Sequence, residues 1–247
     1  MNPISVVIIA KNSEESIREC LESLRLFDQV ILYLNNTTDQ TAEIASTFQN
    51  VTIINGEFIG FGPTKNKAAS FARNSWVLSL DSDEMISDQL FHEISKLPLN
   101  NDHFLYSLKR DNYFLGKKIR FSGWGNDRLI RLYHKGIHHF NANMVHEHIE
   151  LNSQSVVAPL KAPFKHLAIT DINQFLSKVG HYSDIASKDK KTCYFSIVIL
   201  KSCFAFFRTY ILQLGFLDGW RGFVIAVSNF NGKFFRYTKR YINCKKP

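Results

Sequence analysis

Acidic side chains are almost missing from the last quarter of this 247-residue chain. Residues 190–247 hold 11 Lys and Arg but a single carboxylate, Asp218, a balance of +10; residues 1–189 hold 19 basic and 21 acidic side chains. The overall charge of +8 is therefore a local surface, of the kind that draws nucleic acid or anionic lipid headgroups. The near-neutral first part and the lack of a recognised nucleic-acid motif weigh against the first. Cysteines are few. Cys20, Cys193, Cys203 and Cys244 show no paired or metal-type spacing, which fits a reducing compartment. No basic stretch precedes the first apolar run, so no cleaved leader is expected. No stretch approaches the ~20 apolar residues of a spanning helix, because Lys201 and Arg208 interrupt the apolar segment Tyr194–Leu214. Internal repeats and low-complexity tracts are also missing. What is present is a core: 45% hydrophobic and 13% aromatic residues exclude disorder and allow one large domain. A cytoplasmic protein is expected.

Strand and helix signals alternate over residues 1–80. Ile4–Ala10 reads as a strand, and Asn12 or Ser13 can cap a helix carrying Ile17, Cys20, Leu21 and Leu24 at i, i+3, i+4 and i+7. Val30–Leu34 is a second strand, followed by the turn and cap residues Asn35-Asn36-Thr37-Thr38-Asp39. A Thr41–Phe48 helix, a Val51–Asn55 strand, a Gly60-Phe61-Gly62-Pro63 loop entering a helix through Ala72, and strand Trp76–Leu80 complete the series. Four β-α repeats imply a parallel sheet with right-handed crossovers. Beyond Glu84 the pattern changes to a short helix (88–96), antiparallel-looking segments (Phe104–Lys109, Tyr113–Arg120, Leu129–Tyr133) and a helix over 170–190. In Tyr194–Leu214, Lys201, Ser202, Arg208, Thr209 and Gln213 trace one polar stripe on an apolar helix. That pattern suits a buried helix or one lying in a membrane interface with Lys201 and Arg208 snorkelling to phosphates. The basic and aromatic residues that follow favour the interface.

The run Trp76-Val77-Leu78-Ser79-Leu80-Asp81-Ser82-Asp83-Glu84 is a buried strand ending in carboxylates. Ligands of open α/β sheets bind at the carboxyl ends of the strands. Two aspartates two residues apart can share a hard divalent cation that grips phosphate oxygens. Alone, such a pair is more readily the solvated start of a helix.

Four motifs in order, Ser-Val-Val-Ile-Ile-Ala-Lys-Asn (5–12), Asn-Asn-Thr-Thr-Asp-Gln-Thr (35–41), Gly-Phe-Gly-Pro-Thr-Lys-Asn-Lys-Ala (60–68) and Leu-Asp-Ser-Asp-Glu (80–84), resemble glycosyltransferase family 2. More narrowly they are similar to bacterial lipopolysaccharide-core β-glucosyltransferases. Later echoes, Gly123-Trp124, Arg131-Leu132-Tyr133, Val145-His146-Glu147 and Gly215-Phe216-Leu217-Asp218-Gly219, extend the likeness over most of the chain. The resemblance implies an α/β GT-A fold: a Rossmann-like, mostly parallel sheet, a mixed acceptor-side half and a C-terminal amphipathic helical tail. It divides the chain into a glycosyltransferase domain over 1–189 (nucleotide-sugar half 1–90, acceptor half 91–189) and a membrane-associating tail over 190–247.

By the same resemblance, the expected activity is inverting transfer of a hexose, glucose from UDP-glucose, to a heptose of a lipid A–core oligosaccharide. The alternative is another donor such as UDP-galactose for a different cell-surface glycan. A divalent cation, Mg²⁺ or Mn²⁺, is implied, held by Asp83 and, directly or through water, Asp81, with His166 completing the shell. Ile9, Ala10, Lys11 and Asn12 would meet the nucleotide, Asp81 and Ser82 the donor, and Lys65 the diphosphate or sugar. Where the family usually ends its second strand with aspartate, this chain has Leu34 and Asn35; Asn35 can donate and accept hydrogen bonds to a uracil edge. Glu147 is the candidate base for the acceptor hydroxyl, with Asp127 and Asp111 as fallbacks. In an extended His146-Glu147-His148, alternation would put Glu147 on one face and both histidines on the other. The triplet lacks a third ligand at zinc-site spacing. The expected partners are a nucleotide sugar, a lipid-linked acceptor and an anionic membrane surface, and no nucleic acid, at the inner face of a bacterial inner membrane. Two rivals fit less well. A haloacid-dehalogenase-like phosphatase puts its nucleophilic aspartate after the first strand, whereas Asp81 follows the fourth, and a non-catalytic adaptor leaves the acidic tip unexplained.

Overall fold

A computed structural model describes residues 2–143, 147–187 and 194–245, which form two compact units, residues 1–110 with 127–166 and residues 111–126 with 167–247. In the first, β1 (Ile4–Ala10), α1 (Ile17–Glu22), β2 (Val30–Asn35), α2 (Thr41–Ser46), β3 (Val51–Gly56), α3 (Phe61–Ser70) and β4 (Trp76–Asp81) follow one another. Strands β3-β2-β1-β4 lie side by side and parallel. Alternation along each strand sends side chains to opposite faces. Val6, Ile8, Leu32 and Leu80 pack with Ile17, Leu21 and Leu24 of the α1 region on one face. Val7, Ile31, Tyr33 and Val77 pack with Ala68, Ala69 and Ala72 on the other. Both faces are covered, which is why these strands read as continuous apolar runs.

The chain then turns through β5 (Glu84–Ile86), α4 (Asp88–Ser95), β6 (Phe104–Phe114), β7 (Lys117–Lys118), β8 (Asp127–His134) and β9 (Val156–Ile169). The sheet continues from β4 as β8-β6-β9-β5, with antiparallel β4/β8, β8/β6 and β9/β5 pairs. Ser87 caps α4 by accepting the Leu90 N–H at 3.1 Å. Two expectations are corrected here. Phe104–Lys109 and Tyr113–Arg120 are not two full strands: β6 runs unbroken to Phe114, and only Lys117–Lys118 returns beside it. The turn between them puts Leu115 (φ 44°) and Gly116 (φ 76°) in the left-handed region, as tight two-residue hairpins require. Strand β9 adds an element to the expected set, and it carries Pro159 and Pro163, residues that cannot donate to a ladder. β5 covers only Phe164–His166, and the carboxylate of Glu93 on α4 accepts the N–H groups of Lys161 and Ala162 at 2.8 Å.

The second unit gathers Phe114, Ile119, Ile169, Phe175 and Ile225 into its own core. It contains α5 (Ile172–Ser187), α6 (Phe195–Phe207) with a π-helical extension over Arg208–Leu212, a 3₁₀ turn over Gly215–Asp218, and α7 (Trp220–Lys245). Asp218 is buried and accepts the N–H groups of Arg120 (3.0 Å) and Phe121 (3.1 Å) and the Ser122 hydroxyl (2.8 Å), pinning the 120–122 loop. Phe195–Leu212 is a helical run of 18 residues with mean hydropathy 1.6, long and apolar enough to cross a membrane by length and composition. The sequence reading discounted it because of Lys201 and Arg208. Cys20 and Cys203 are free thiols, while Cys244 is disulfide-bonded, a pairing that cysteine spacing did not announce.

Candidate active site

Four parallel strands end together. Ile9 pairs with Asp81, Ala10 with Leu34 and Asn35 with Gly56, so Ile9, Ala10, Asn35 and Asp81 share the carboxyl edge of the sheet. The loops leaving β1 and β2 are tied together there. Asn12, at φ 49°, accepts the Thr38 N–H at 2.9 Å, and the Ser13 N–H donates to the Thr41 hydroxyl at 2.8 Å. Asparagine tolerates this left-handed backbone better than most residues. Lys11 is exposed and Asn35 is buried.

Asp81 sits at the centre of a charge network. The Lys65 ammonium lies 2.8 Å from its Oδ1 and Arg131 Nη2 lies 2.7 Å from its Oδ2. Burial opposes ionisation of Asp81, but Arg131 and Lys65 outweigh it and hold the carboxyl well below the usual carboxylate range. Lys65 is itself buried and reaches a second carboxylate, Glu147, at 2.9 Å. A desolvated ammonium is retained only with such partners. The approach of α3 is set by backbone fit. A Cβ at Gly62 would fall 2.0 Å from the Asn141 carbonyl oxygen, and Asn66 exchanges hydrogen bonds of 2.7 and 2.8 Å with the Phe140 backbone.

The carboxylates after β4 have separate roles. Glu84 turns inward, fully buried: its Oε2 accepts the Asp81 N–H at 3.0 Å and its Oε1 meets Arg131 at 2.6 Å. Burial pushes its carboxyl above the ordinary value, against the pull of Arg131. Asp83 is more open, with 36% of its side chain exposed, and its Oδ2 lies 3.5 Å from His166 Nε2. The β5/β9 register places them together by pairing Glu84 with His166. Ser82 bonds the Ser13 hydroxyl at 2.9 Å, joining the acidic turn to the loop after β1.

The structure thus brings Asp81, Lys65 and Glu147 into one chain of contacts, and Asp83 to His166. The fallback bases are engaged elsewhere, Asp127 by Arg110 at 2.6 Å and Asp111 by Lys118 at 2.5 Å in the second unit. His146 lies outside the described residues. His148 is exposed, with Nδ1 2.8 Å from Asn141. Arg131 joins the candidate site through Asp81 and Glu84, and sequence reasoning gave it no role. Its signal was available: a guanidinium inside the apolar strand Leu129-Ile130-Arg131-Leu132-Tyr133 needs buried carboxylates.

Among the described residues no three His, Cys, Asp or Glu side chains form a ready metal cluster. The donor chemistry still fits a hard cation. A carboxylate and an imidazole can supply two ligands, and Mg²⁺ or Mn²⁺ commonly completes its shell with phosphate oxygens and water. Asp83 and His166 fit that role. Asp81, with both oxygens held by cations, fits the positioning of its neighbours.

An open, mostly parallel α/β sheet, extended by antiparallel strands and carrying an acidic turn at its carboxyl edge, is a GT-A type fold. The profile of glycosyl transferase family 2 matches residues 5–158, and the chain belongs to that family. An uncharacterised glycosyltransferase of Rickettsia typhi is 29% identical over 256 residues, covering 97% of this chain and 87% of its own length. The lipopolysaccharide core biosynthesis glycosyltransferase LpsC of Rhizobium meliloti is 23% identical over 153 residues, covering 60% of this chain and 57% of its own. Among solved structures, S. aureus TarS 1-349 matches at 17% identity, with 92% of this chain and 79% of that chain covered and a TM-score of 0.45.

Proposed function

We propose that this family 2 glycosyltransferase moves a hexose, glucose from UDP-glucose, onto a heptose of a lipid A–core oligosaccharide, with inversion at the anomeric carbon. The observation that carries the reading is the Lys65 ammonium, which joins Asp81 at the strand end to Glu147 (2.8 and 2.9 Å). It sets a candidate base beside the edge where a nucleotide sugar binds. The likeness to LpsC supports the choice of acceptor.

In this mechanism Ile9, Ala10, Lys11, Asn12 and Asn35 receive the nucleotide at the carboxyl edge, Asn35 offering both donor and acceptor to the base. Ser82 and Asp81 border the ribose and phosphates. Asp83 and His166 would hold a divalent cation, which would supply neutralisation of charge on the departing diphosphate. Glu147 takes the proton of the acceptor hydroxyl as its oxygen bonds to the anomeric carbon. The bond from that carbon to the diphosphate breaks on the opposite side, its electron pair leaving with the nucleoside diphosphate. Lys65, fixed by two carboxylates, keeps Glu147 in place for in-line attack. The basic residues after 190 attract anionic lipid and hold the protein, on the cytoplasmic side, near an amphiphilic acceptor.

A screen of nucleotide sugars against truncated core acceptors, with product linkage determined, tests the substrates. Turnover with UDP-glucose and a heptose-ended acceptor is expected; transfer only from another donor or to another glycan would replace that assignment. Phosphate release without sugar transfer would favour a phosphatase. Calorimetry of Mn²⁺ uptake with UDP, comparing wild type and Asp83→Ala, tests the cation site independently of turnover; equal uptake would remove Asp83 from it.

A further inference from the structure

The α6/α7 pair leaves most of its large apolar side chains outside. The two helices run antiparallel: Phe206 and Tyr210 meet the Phe223 ring at 5.7 and 5.6 Å, Asn229 donates to the Thr209 hydroxyl at 2.9 Å, and Phe195 meets Tyr241 at 5.5 Å. Aromatic rings therefore line part of the contact. Between them, Val198, Ser202 and Thr209 are buried on α6 and its extension, and Gly222, Ile225, Ala226, Ser228 and Arg240 on α7, where Ile225 belongs to the core with Phe114 and Phe175. Ser202 satisfies its own hydroxyl by donating to the Val198 carbonyl at 2.7 Å. A Cβ at Gly222 would lie 1.8 Å from the Gly215 carbonyl oxygen, so α7 approaches the preceding turn backbone to backbone.

The large apolar side chains face outward. Leu200, Phe204, Phe207 and Ile211 are 68%, 56%, 47% and 43% exposed. Their spacing of i, i+4, i+7 and i+11 makes one stripe, and at about 100° per residue it lies opposite the seam at 198, 202 and 209. Leu212, Leu214, Phe216, Leu217 and Trp220 continue the exposed apolar surface through the turn. Water selects the reverse arrangement. Hydrocarbon selects this one, with small residues bringing helices together and large apolar ones meeting lipid.

Charge identifies the occupant. Lys201 and Arg208, seven residues apart and exposed, flank the stripe on one side and make no ion pair among the described residues. The segment from 190 onward carries +10 in all. A second copy would bring the same charge to the contact, whereas anionic phospholipid neutralises it. A helix crossing the bilayer would carry both cations to hydrocarbon depth, while one lying in the plane lets them reach the phosphates.

We propose that α6 and the turn after it lie in the plane of an anionic bilayer, with Leu200, Phe204, Phe207 and Ile211 sunk among the acyl chains and Lys201 and Arg208 at the headgroups. This rests on the membrane attachment given above and goes further: hydrocarbon burial is the main attachment and charge the lesser one.

The test is sedimentation of the full chain with phosphatidylglycerol–phosphatidylethanolamine vesicles at about 0.1 M and about 1 M NaCl, between which the Debye length falls from about 10 to about 3 Å. Binding should persist at high salt. Leu200→Gln/Phe204→Gln and Phe207→Gln/Ile211→Gln should each cut high-salt binding by at least about tenfold, with far-UV circular dichroism unchanged. Lys201→Gln/Arg208→Gln should weaken low-salt binding several-fold and leave the high-salt fraction in place. Full release of the wild type at high salt, or high-salt binding untouched in both apolar variants, overturns insertion and leaves attachment by charge standing. No binding even at low salt defeats the attachment itself. Lipid-independent dimers abolished by the same apolar variants would assign the stripe to a second copy and overturn the proposal.

Discussion

The parallel sheet and the α6/α7 pair differ in the side chains they leave outside. Around β1, β2 and β4 the buried residues include Val6, Ile8, Leu32 and Leu80, and charge is confined to the strand ends, where Asp81 meets Arg131 and Asp83 lies beside the His166 ring. Along α6 and α7 the buried residues include Ser202, Thr209, Gly222 and Ser228, while Leu200 and Phe204 look outward. Both arrangements obey one rule: polar groups removed from solvent must find partners, and apolar groups avoid water. The sheet meets that rule by itself. On the membrane placement proposed above, the helical pair meets it with the help of a second apolar medium, and the exposed face of α6 is then the working one.

The sharpest way to break the comparison is at the chemical end of the sheet. Glu147→Gln should lower kcat by about 10²- to 10⁴-fold, the span typical of a lost general base, while the folded state, still holding Lys65 through Asp81, and vesicle binding persist. Retained activity would return the base assignment to an unassigned group. Arg131→Leu attacks the same edge through stability. It strands the carboxylates of Asp81 and buried Glu84, which Arg131 meets at 2.7 and 2.6 Å. Breaking one side of a buried ion network removes about 3–5 kcal/mol, measurable by urea unfolding. A loss under about 1 kcal/mol, the range of exposed pairs, would mean that the network is solvated.

Acid resolves the network further. Asp81 has its carboxyl held below the ordinary 3.8, so the stability it contributes is complete above that value and fades as pH falls from there towards its depressed folded value. Glu84, raised by burial, works in the opposite sense: its shift penalises the folded state once pH climbs above its ordinary 4.5. Asp81→Asn should therefore flatten the fall in stability below about pH 4, followed by urea unfolding across pH. An unaltered acid limb would show that other carboxylates set it.

Much of the sheet was legible because covering both faces forces unbroken apolar runs, and Ile4–Ala10, Val30–Asn35 and Trp76–Asp81 have no other use for theirs. The acidic tip could be found for the same reason, as the abrupt end of such a run. Its internal division could not. Asp81, Asp83 and Glu84 look equivalent in sequence, and only the arrival of Arg131 from β8, Lys65 from α3 and His166 from β9 separates them. Those contacts join positions 16 to 83 residues apart, and no local pattern encodes them. The polar stripe on α6 misled for a related reason. Ser202 and Thr209 looked like companions of Lys201 and Arg208, yet the small hydroxyls turned into the α7 seam and the long cations stayed outside.

The smallest expected effect is the most telling for the comparison. Leu32→Ala in the fully buried centre of β2 should remove about 2–5 kcal/mol, a transfer loss plus an unfilled cavity. Leu200→Ala makes the same chemical change at a side chain that is 68% exposed, so urea unfolding without lipid should register no more than about 0.5 kcal/mol. With anionic vesicles present, the same variant should lose binding, because the methyl groups that stabilise nothing in water are then the ones buried. A large loss without lipid would place Leu200 inside a protein contact, and the two regions would then be built alike.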